Sequence, residues 1–233
     1  HCHILPGLDD GARNWEETIA MAHRAVADGI RRVIATPHQS EQYPANTAAR
    51  ILSRTSETQE RLEQAGIPLS ILPGADVRIT DSTIARVTRS ELLTLGNLGK
   101  HILLELPSDV VHSLDRLIYE LELLGVRSIL SHPERNLVLQ DDLRPVEQLV
   151  NQGCLLQVTA GSFLGTFGRT ARKSAFRLLR AGLVHIVASD AHNDGDRPFA
   201  MAAAYQVVAA AVGHEEADRS FRERPALVAQ GEQ

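Results

Sequence analysis

The sequence predicts an α/β fold in which strand–helix units repeat around a parallel sheet or barrel. Two observations carry this reading. Short apolar runs alternate with amphipathic stretches along most of the chain, which is the pattern of successive βα units. Candidate chemical side chains also recur at or just past the C-terminal ends of the strand-like runs, the face on which α/β barrels assemble their sites. No low-complexity linker or internal repeat interrupts the 233 residues, so one domain spanning 1–233 is expected.

The opening segment, His1 to Leu5, reads as a strand, and Trp15–Asp28 as the first helix. Arg32–Thr36 is rich in β-branched and small apolar residues and reads as the next strand, followed by a helical pattern over Asn46–Gln64. The strand-like runs Leu69–Leu72, Ile102–Leu106, Ser128–Ser131, Leu155–Thr159 and His185–Ala188 come next, interleaved with helical stretches at Ser113–Leu124, Leu143–Asn151, Thr170–Arg180 and Arg197–Val212. Several helices stop at a glycine, namely Gly29, Gly66, Gly125, Gly153, Gly182 and Gly213, where a left-handed residue closes the last turn. The count is about seven strands. The charged tail after His214 is expected to end in a short helix near Pro225–Ala229 and then fray.

Composition narrows the function. Lys and Arg total 24 against 29 Asp and Glu, with no long basic run, so a nucleic-acid surface is not expected. The longest apolar stretch, Phe199 to Val212, contains Gln206 and falls short of the roughly 20 residues that cross a bilayer. Cys2 and Cys154 are the only cysteines, too few for a disulfide framework, and no signal-peptide pattern opens the sequence, so a cytoplasmic protein is expected.

The chemistry lies at the strand ends. In His1-Cys2-His3, residues i and i+2 of a strand share a face and present two imidazoles together. His38, Asp76, Glu105, His132, Asp190 and His192 each end an apolar run, and Asp10 follows the opening strand. Five imidazoles and four carboxylates exceed the roughly four ligands of one tetrahedral ion, so two or three metals are expected, with a carboxylate bridging neighbours. His23, His101, His112, His185 and His214 are read as core or surface residues, with His185 placed to satisfy backbone groups. Arg135 and Arg197 stand beside the ligand set and offer forked donors matched to phosphate oxygens. A thiolate phosphatase is disfavoured because Leu8 and Ala160 occupy the positions six after the cysteines, where a Cys-x5-Arg loop needs arginine. Gly161-Ser162-Phe163-Leu164-Gly165-Thr166-Phe167-Gly168 fits neither a P-loop nor a dinucleotide fingerprint, and reads as a βα loop with Phe163 and Phe167 on the pocket rim.

These motifs, in this order, resemble the PHP (polymerase and histidinol phosphatase) superfamily. The segments His-Cys-His-Ile-Leu-Pro-Gly-Leu-Asp-Asp-Gly-Ala, Ala-Thr-Pro-His, Leu-Ser-His-Pro-Glu-Arg-Asn, Gln-Val-Thr-Ala-Gly-Ser and Ser-Asp-Ala-His-Asn are similar to those of the manganese-dependent protein-tyrosine phosphatases of bacterial capsule and exopolysaccharide operons. The resemblance covers nearly the whole chain and implies a distorted (β/α)7 TIM-like barrel with a trinuclear site. It assigns His1, His3 and Asp190 to one ion, with Asp76 bridging to a second held by Glu105 and His132, and Asp10, His38 and His192 to a third. At position 76 the family pattern more often has Glu, and one methylene less shortens the bridge by about 1.5 Å.

The expected cofactor is manganese, up to three ions, although mixed His/carboxylate ligation also accepts Fe, Co or Zn. The expected reaction is hydrolysis of phosphotyrosine by a metal-bound hydroxide, with Arg135, Arg197 and Asp10 as catalytic residues and the tail of a bacterial tyrosine kinase as substrate. A small-molecule phosphomonoesterase such as a histidinol phosphatase, and a non-catalytic kinase-binding scaffold, are the alternatives.

Overall fold

A computed structural model describes residues 1–107 and 113–232. The strands are β1 (Arg32–Ala35), β2 (His38–Gln39), β3 (Ser70–Pro73), β4 (Asp76–Arg78), β5 (His101–Glu105), β6 (Arg127–Ser131), β7 (Leu155–Thr159) and β8 (Ile186–Ala188). All of them pair in parallel, as a six-stranded sheet in the order β2-β4-β5-β6-β7-β8 and a two-stranded sheet β1-β3.

Two of the expected strands are each followed, after a short break, by a second short strand that the sequence reading did not place. Pro37, which has no N–H to donate, separates β1 from β2, and Gly74 separates β3 from β4. A Cβ on Gly74 would lie 2.8 Å from Ile34 Cγ2, so close approach of the two chains requires glycine there. The expected opening strand is reduced to single bridges, from Cys2 to Ala35 and from Cys2 to Ala191, both parallel. Pro6 follows at once and Gly7 turns the chain with φ +67. Among the described residues the ladders thus form two sheets joined through Cys2, and not one continuous closed barrel.

Alternation along the strands explains where the site sits. Leu103, Ile129, Leu155 and Ile186, one from each of four neighbouring strands, pack with Leu95 and Val228 in a single apolar cluster. Two residues further along the same face come Glu105, Ser131, Gln157 and Ala188, with Asp190 beyond. The inner face therefore changes from apolar to polar at the strands' C-terminal ends. The opposite face, with Ile102, Leu104, Leu130, Leu156, Val158 and Val187, packs into two larger clusters. Each such Leu, Ile or Val contributes about 2 kcal/mol by leaving water.

Helices α1 (Trp15–Ala27), α2 (Ala48–Gln64), α3 (Thr83–Thr88), α4 (Asp115–Leu123), α5 (Arg144–Asn151), α6 (Ala160–Leu164), α7 (Gly168–Arg180), α8 (Met201–Val212), α9 (His214–Asp218) and α10 (Arg224–Gln230) connect or flank the strands. Helix α1 buries Thr18, Met21, Ala22 and Ala25 at helical spacing, and Asn14 caps it by accepting from Glu17 N. Gly29 then closes the end with φ +86, while Ile30 N donates to Ala25 O. Helix α8 begins four residues later than its sequence pattern predicts, because the Asp28 carboxylate accepts from Met201 N and Ala202 N and fixes the start. The charged tail is helical, with five residues of π-helix, Arg219–Glu223, between α9 and α10. No helix of the described residues is long and apolar enough to cross a membrane.

Candidate metal centre

The nine side chains singled out at the strand ends converge. His1 Nε2 lies 3.2 Å from His3 Nε2 and 3.1 Å from Asp190 Oδ1, which is also 3.4 Å from His3 Nε2. Asp76 Oδ2 occupies the middle, 3.8 Å from His1 Nε2, 3.6 Å from His38 Nδ1 and 3.8 Å from His132 Nε2. Glu105 completes that side, 3.6 Å from His38 Nδ1 and 3.7 Å from His132 Nε2. Asp10 Oδ1 stands 3.5 Å from both His38 Nε2 and His192 Nε2. Donor atoms that share one ion at about 2.1 Å sit roughly 3–4 Å apart, so these spacings fit metal ligation. Three overlapping groups can each embrace an ion: His1, His3 and Asp76; His38, Asp76 and Glu105; and His3, Asp10, His38 and His192. His38 belongs to two of these through its two ring nitrogens, a sharing that sequence spacing does not reveal.

The buried lone pairs supply the test of fit. His38 Nδ1, Asp76 Oδ2 and Glu105 Oε2 are buried and make no hydrogen bond; Arg78 Nη2 lies 3.2 Å from Glu105 Oε2 as an ion pair, beside the imidazole nitrogens already named. Acceptors facing one another without a donor are costly in a protein interior. Their spacing is one that a single divalent cation could satisfy.

Electrostatics separates the two sides of the cluster. Burial alone would raise the Asp190 carboxyl, but the His3 hydrogen bond and the charges of His132 and Arg197 hold it well below the carboxylate range. Glu105 goes the other way, raised to about 7 by burial and by the neighbouring Asp76 charge. His38 is lowered to about 4 by burial and the His3 charge, so its ring stays neutral and able to ligate. Burial works against a charge on His3, yet Asp9 and Asp190 raise it to about 10.

A second layer orients the ligands, and sequence reasoning missed most of it. Asp9 Oδ2 lies 2.6 Å from His3 Nδ1 and accepts from His38 N at 2.9 Å, while Oδ1 accepts from Gly11 N at 3.0 Å. Such a carboxylate–histidine pair fixes ring orientation and leaves Nε2 to ligate. The only local sign was the Asp-Asp-Gly turn. Gly11 itself is required, since a Cβ there would lie 2.1 Å from His3 O. The Gln157 amide reaches His1 Nδ1 at 2.6 Å, Ser131 Oγ donates to Asp76 Oδ1 at 3.2 Å, and His192 Nδ1 bonds Asp190 O at 2.9 Å. His132 and Asp190 have left-handed backbones, φ +34 and +49, an uncommon conformation for such residues that clusters at functional sites.

Arg135 Nη1 and Arg197 Nη2 both reach Asp190 Oδ2, at 2.5 and 2.7 Å, and remain about a quarter exposed. Asp10 is half exposed at the mouth. A cavity of about 510 Å³ lies between β1 and β8 with His1 and Gln157 among its lining residues; its other walls include Val33, Ile34, Ile186 and Val187.

The remaining expectations sort cleanly. His185 Nδ1 accepts from Leu156 N, as read from the sequence, and His112 lies outside the described residues. Cys2 is fully buried with its Sγ 3.7 Å from Ile34 O, and burial raises both it and Cys154 to about 11, so neither is a thiolate near neutrality. Phe163, expected on the rim, is instead fully buried and packs edge-on against Phe176. Residues 160–164 form helix α6 and turn its ring inward. Phe167 stays partly exposed.

A family model described as capsular polysaccharide synthesis, CpsB/CapC, matches residues 1–230. The tyrosine-protein phosphatase YwqE of Bacillus subtilis (strain 168) is 38% identical over 216 residues, covering 92% of this chain and 85% of that protein. The putative tyrosine-protein phosphatase CapC of Staphylococcus aureus is 33% identical over 200 residues, 85% of this chain and 78% of its own. The tyrosine-protein phosphatase CpsB of Streptococcus pneumoniae is 27% identical over 234 residues, 97% and 95% respectively. Among solved structures, one from work on YwqE of Bacillus subtilis and CpsB of Streptococcus pneumoniae, described as unique metal-dependent tyrosine phosphatases, superposes with a TM-score of 0.96 at 36% identity, over 100% of this chain and 94% of that one.

Proposed function

The chain belongs to the capsular polysaccharide synthesis family CpsB/CapC, and from that membership we propose that it is a metal-dependent tyrosine-protein phosphatase. The observation that carries the metal requirement is the set of three buried atoms, His38 Nδ1, Asp76 Oδ2 and Glu105 Oε2, that meet without a hydrogen bond. The tyrosine-phosphatase relatives and the metal-dependent structural neighbour support the same reading.

In this reading His1, His3 and Asp190 would hold one ion, Asp76, Glu105 and His132 a second, and Asp10, His38 and His192 a third. The proposed metal is manganese, in keeping with mixed imidazole and carboxylate donors. When bound, such ions polarise a phosphoryl oxygen and bring the pKa of water near neutrality.

The chain's own residues do the rest. Each arginine gives Asp190 one arm and keeps further N–H groups for the non-reacting phosphoryl oxygens, where charge accumulates during in-line attack. Asp9 and Gln157 hold the His3 and His1 rings in ligating orientation. The leaving phenol has a pKa of about 10, so departure needs less help from a general acid than an alkyl ester does.

The fold is proposed to be a distorted (β/α)7 barrel of the PHP kind, with the opening segment between β1 and β8; the paired bridges of Cys2 support this reading. The substrate is proposed to be a phosphorylated tyrosine-rich tail of a bacterial tyrosine kinase in the cytoplasm, in keeping with the family's link to capsular polysaccharide. The test is turnover of a phosphotyrosine peptide and of histidinol phosphate by protein stripped with chelator and reloaded with Mn, Fe, Co or Zn. Preference for the peptide, dependent on reloading, is expected. Full activity after exhaustive chelation, or clear preference for histidinol phosphate, overturns the proposal.

A further inference from the structure

The glycine-rich run Gly161–Gly168 has no part in ligation, yet the fold holds it with care against the two arginines. Gly165 and Gly168 both have left-handed backbones, φ +91 and +84, and reverse the chain on either side of Thr166-Phe167. That reversal throws the Phe167 ring back over the turn that follows β6. Arg135 Cζ lies 4.3 Å from the ring centroid and Arg197 Cζ 5.6 Å, both within cation–π range. Gly161 makes room for the ring and for Thr166, since a Cβ there would meet Phe167 Cε2 and Thr166 Oγ1 each at 3.2 Å.

The two loops are also tied to each other. Glu134, the neighbour of Arg135, is fully buried, and its Oε1 accepts from Thr159 N at 3.0 Å and Ser162 Oγ at 2.7 Å. It thus fastens the start of α6 to the Pro133–Arg135 turn. Arg172 Nε closes the other side by donating to Phe163 O.

We propose that Phe167 is a positioning residue for a two-arginine phosphoryl clamp, its ring face holding the Arg135 and Arg197 guanidinium groups side by side. The inference rests on the phosphatase reading above. The Asp190 carboxylate anchors one arm of each guanidinium, and the ring restricts the planes of both. Their remaining donors then face a tetrahedral dianion with little rotamer freedom left to lose.

The experiment uses the metal-loaded protein and the variants Phe167→Ala, Phe167→Leu, Phe167→Tyr and Gly161→Ala. Calorimetric titration with inorganic phosphate reads the clamp independently of turnover, and kinetics on a phosphotyrosine peptide reads KM and kcat apart. Phe167→Ala is expected to weaken phosphate binding and raise KM about tenfold, the size of one partly desolvated cation–π contact, with metal content unchanged and kcat reduced less. Tyr restores both values and Leu does not, while Gly161→Ala, which displaces the ring by a few tenths of an ångström, gives a smaller loss of the same sign. Unchanged phosphate affinity in Phe167→Ala, or rescue by Leu as full as by Tyr, overturns the proposal. Absence of peptide turnover by the metal-loaded wild type is a separate outcome: it sinks the phosphatase reading, and the phosphate titration still judges Phe167.

Discussion

Replacing Asp9 with Asn is the sharpest probe of how the centre is held together. The wild-type carboxylate serves three groups: Oδ2 takes the His3 ring and His38 N, and Oδ1 takes Gly11 N. An amide has one acceptor oxygen. If it stays toward His3 and His38, the amide NH2 faces the Gly11 N–H and leaves that donor unsatisfied, at about 1–3 kcal/mol. The charge that holds the His3 Nδ1 proton is lost in either orientation. Loss of an outer carboxylate of this kind lowers metal affinity roughly 10- to 100-fold, or about 1.4–2.8 kcal/mol. Titration of metal-free protein with buffered Mn, read by elemental count and by peptide turnover, should show the midpoint displaced by that factor, with activity recovering at excess metal. Thermal unfolding in chelator should fall by roughly 2–4 °C per kcal/mol for a chain of this size. A variant that loses thermal stability but binds metal as tightly as wild type would reduce Asp9 to a turn residue and refute the reasoning.

Other expectations follow from single positions. Cys2→Ala keeps most activity and costs about 1 kcal/mol from lost packing, and native protein resists iodoacetamide at neutral pH; abolished turnover would reopen a thiol mechanism. His132→Ala loses metal as well as rate by elemental analysis, and unchanged metal content removes it from the centre. Gly11→Ala drives a Cβ into His3 O, so soluble variant protein should bind less metal; wild-type occupancy counts against the packing argument. His3 (to about 10 from 6.5) and Glu105 (to about 7 from 4.5) are both raised, so their contribution to metal-free stability is full below 6.5 and 4.5 and is lost as pH climbs through 10 and 7. Metal must displace those protons and binds better as pH rises, so chelator should lower Tm more at pH 8 than at pH 6. An equal or reversed difference contradicts the assigned protonation states.

The sequence was legible where one element decided its own structure. Leu155–Thr159 is a strand at the predicted residues because its apolar run is buried on both faces. Trp15–Ala27 starts at its predicted residue because Asn14 and the acidic first turn are local signals. Legibility failed where a distant residue set the outcome. Helix α6 is five residues long and contains a glycine, too short to stand alone, and the carboxylate that fixes its start comes from Glu134, 25 residues before Thr159. Phe163, in α6, and Phe167, beyond its end, are four residues apart, yet one faces the core and the other the arginines, because Gly165 reverses the chain between them. The nine ligand candidates were visible as strand ends, but His38 reaching two groups of ligands, and Asp9 binding three partners, depend on ring and carboxylate orientation.

The two sides of the cluster are unequal, and this determines what metal contributes to folding. On the Asp190 side each charge has a partner: two arginines hold one oxygen, and His1 and His3 face the other. On the Asp76 side two carboxylates share a buried space, with Ser131 and Arg78 as nearby donors, and burial beside Asp76 raises the Glu105 carboxyl to about 7. His132, the proposed ligand on that side, and Asp190 across the cluster are each kept in a left-handed backbone that costs of order 1–3 kcal/mol. Neither the strain nor the crowded carboxylates would persist unless neighbouring elements over-determined them. The parallel strands do so by fixing where each side chain leaves the sheet, and a bound cation would relieve the carboxylate repulsion that the strands impose. Metal affinity and fold stability therefore share the same residues, and a substitution that loosens one ligand is felt in both.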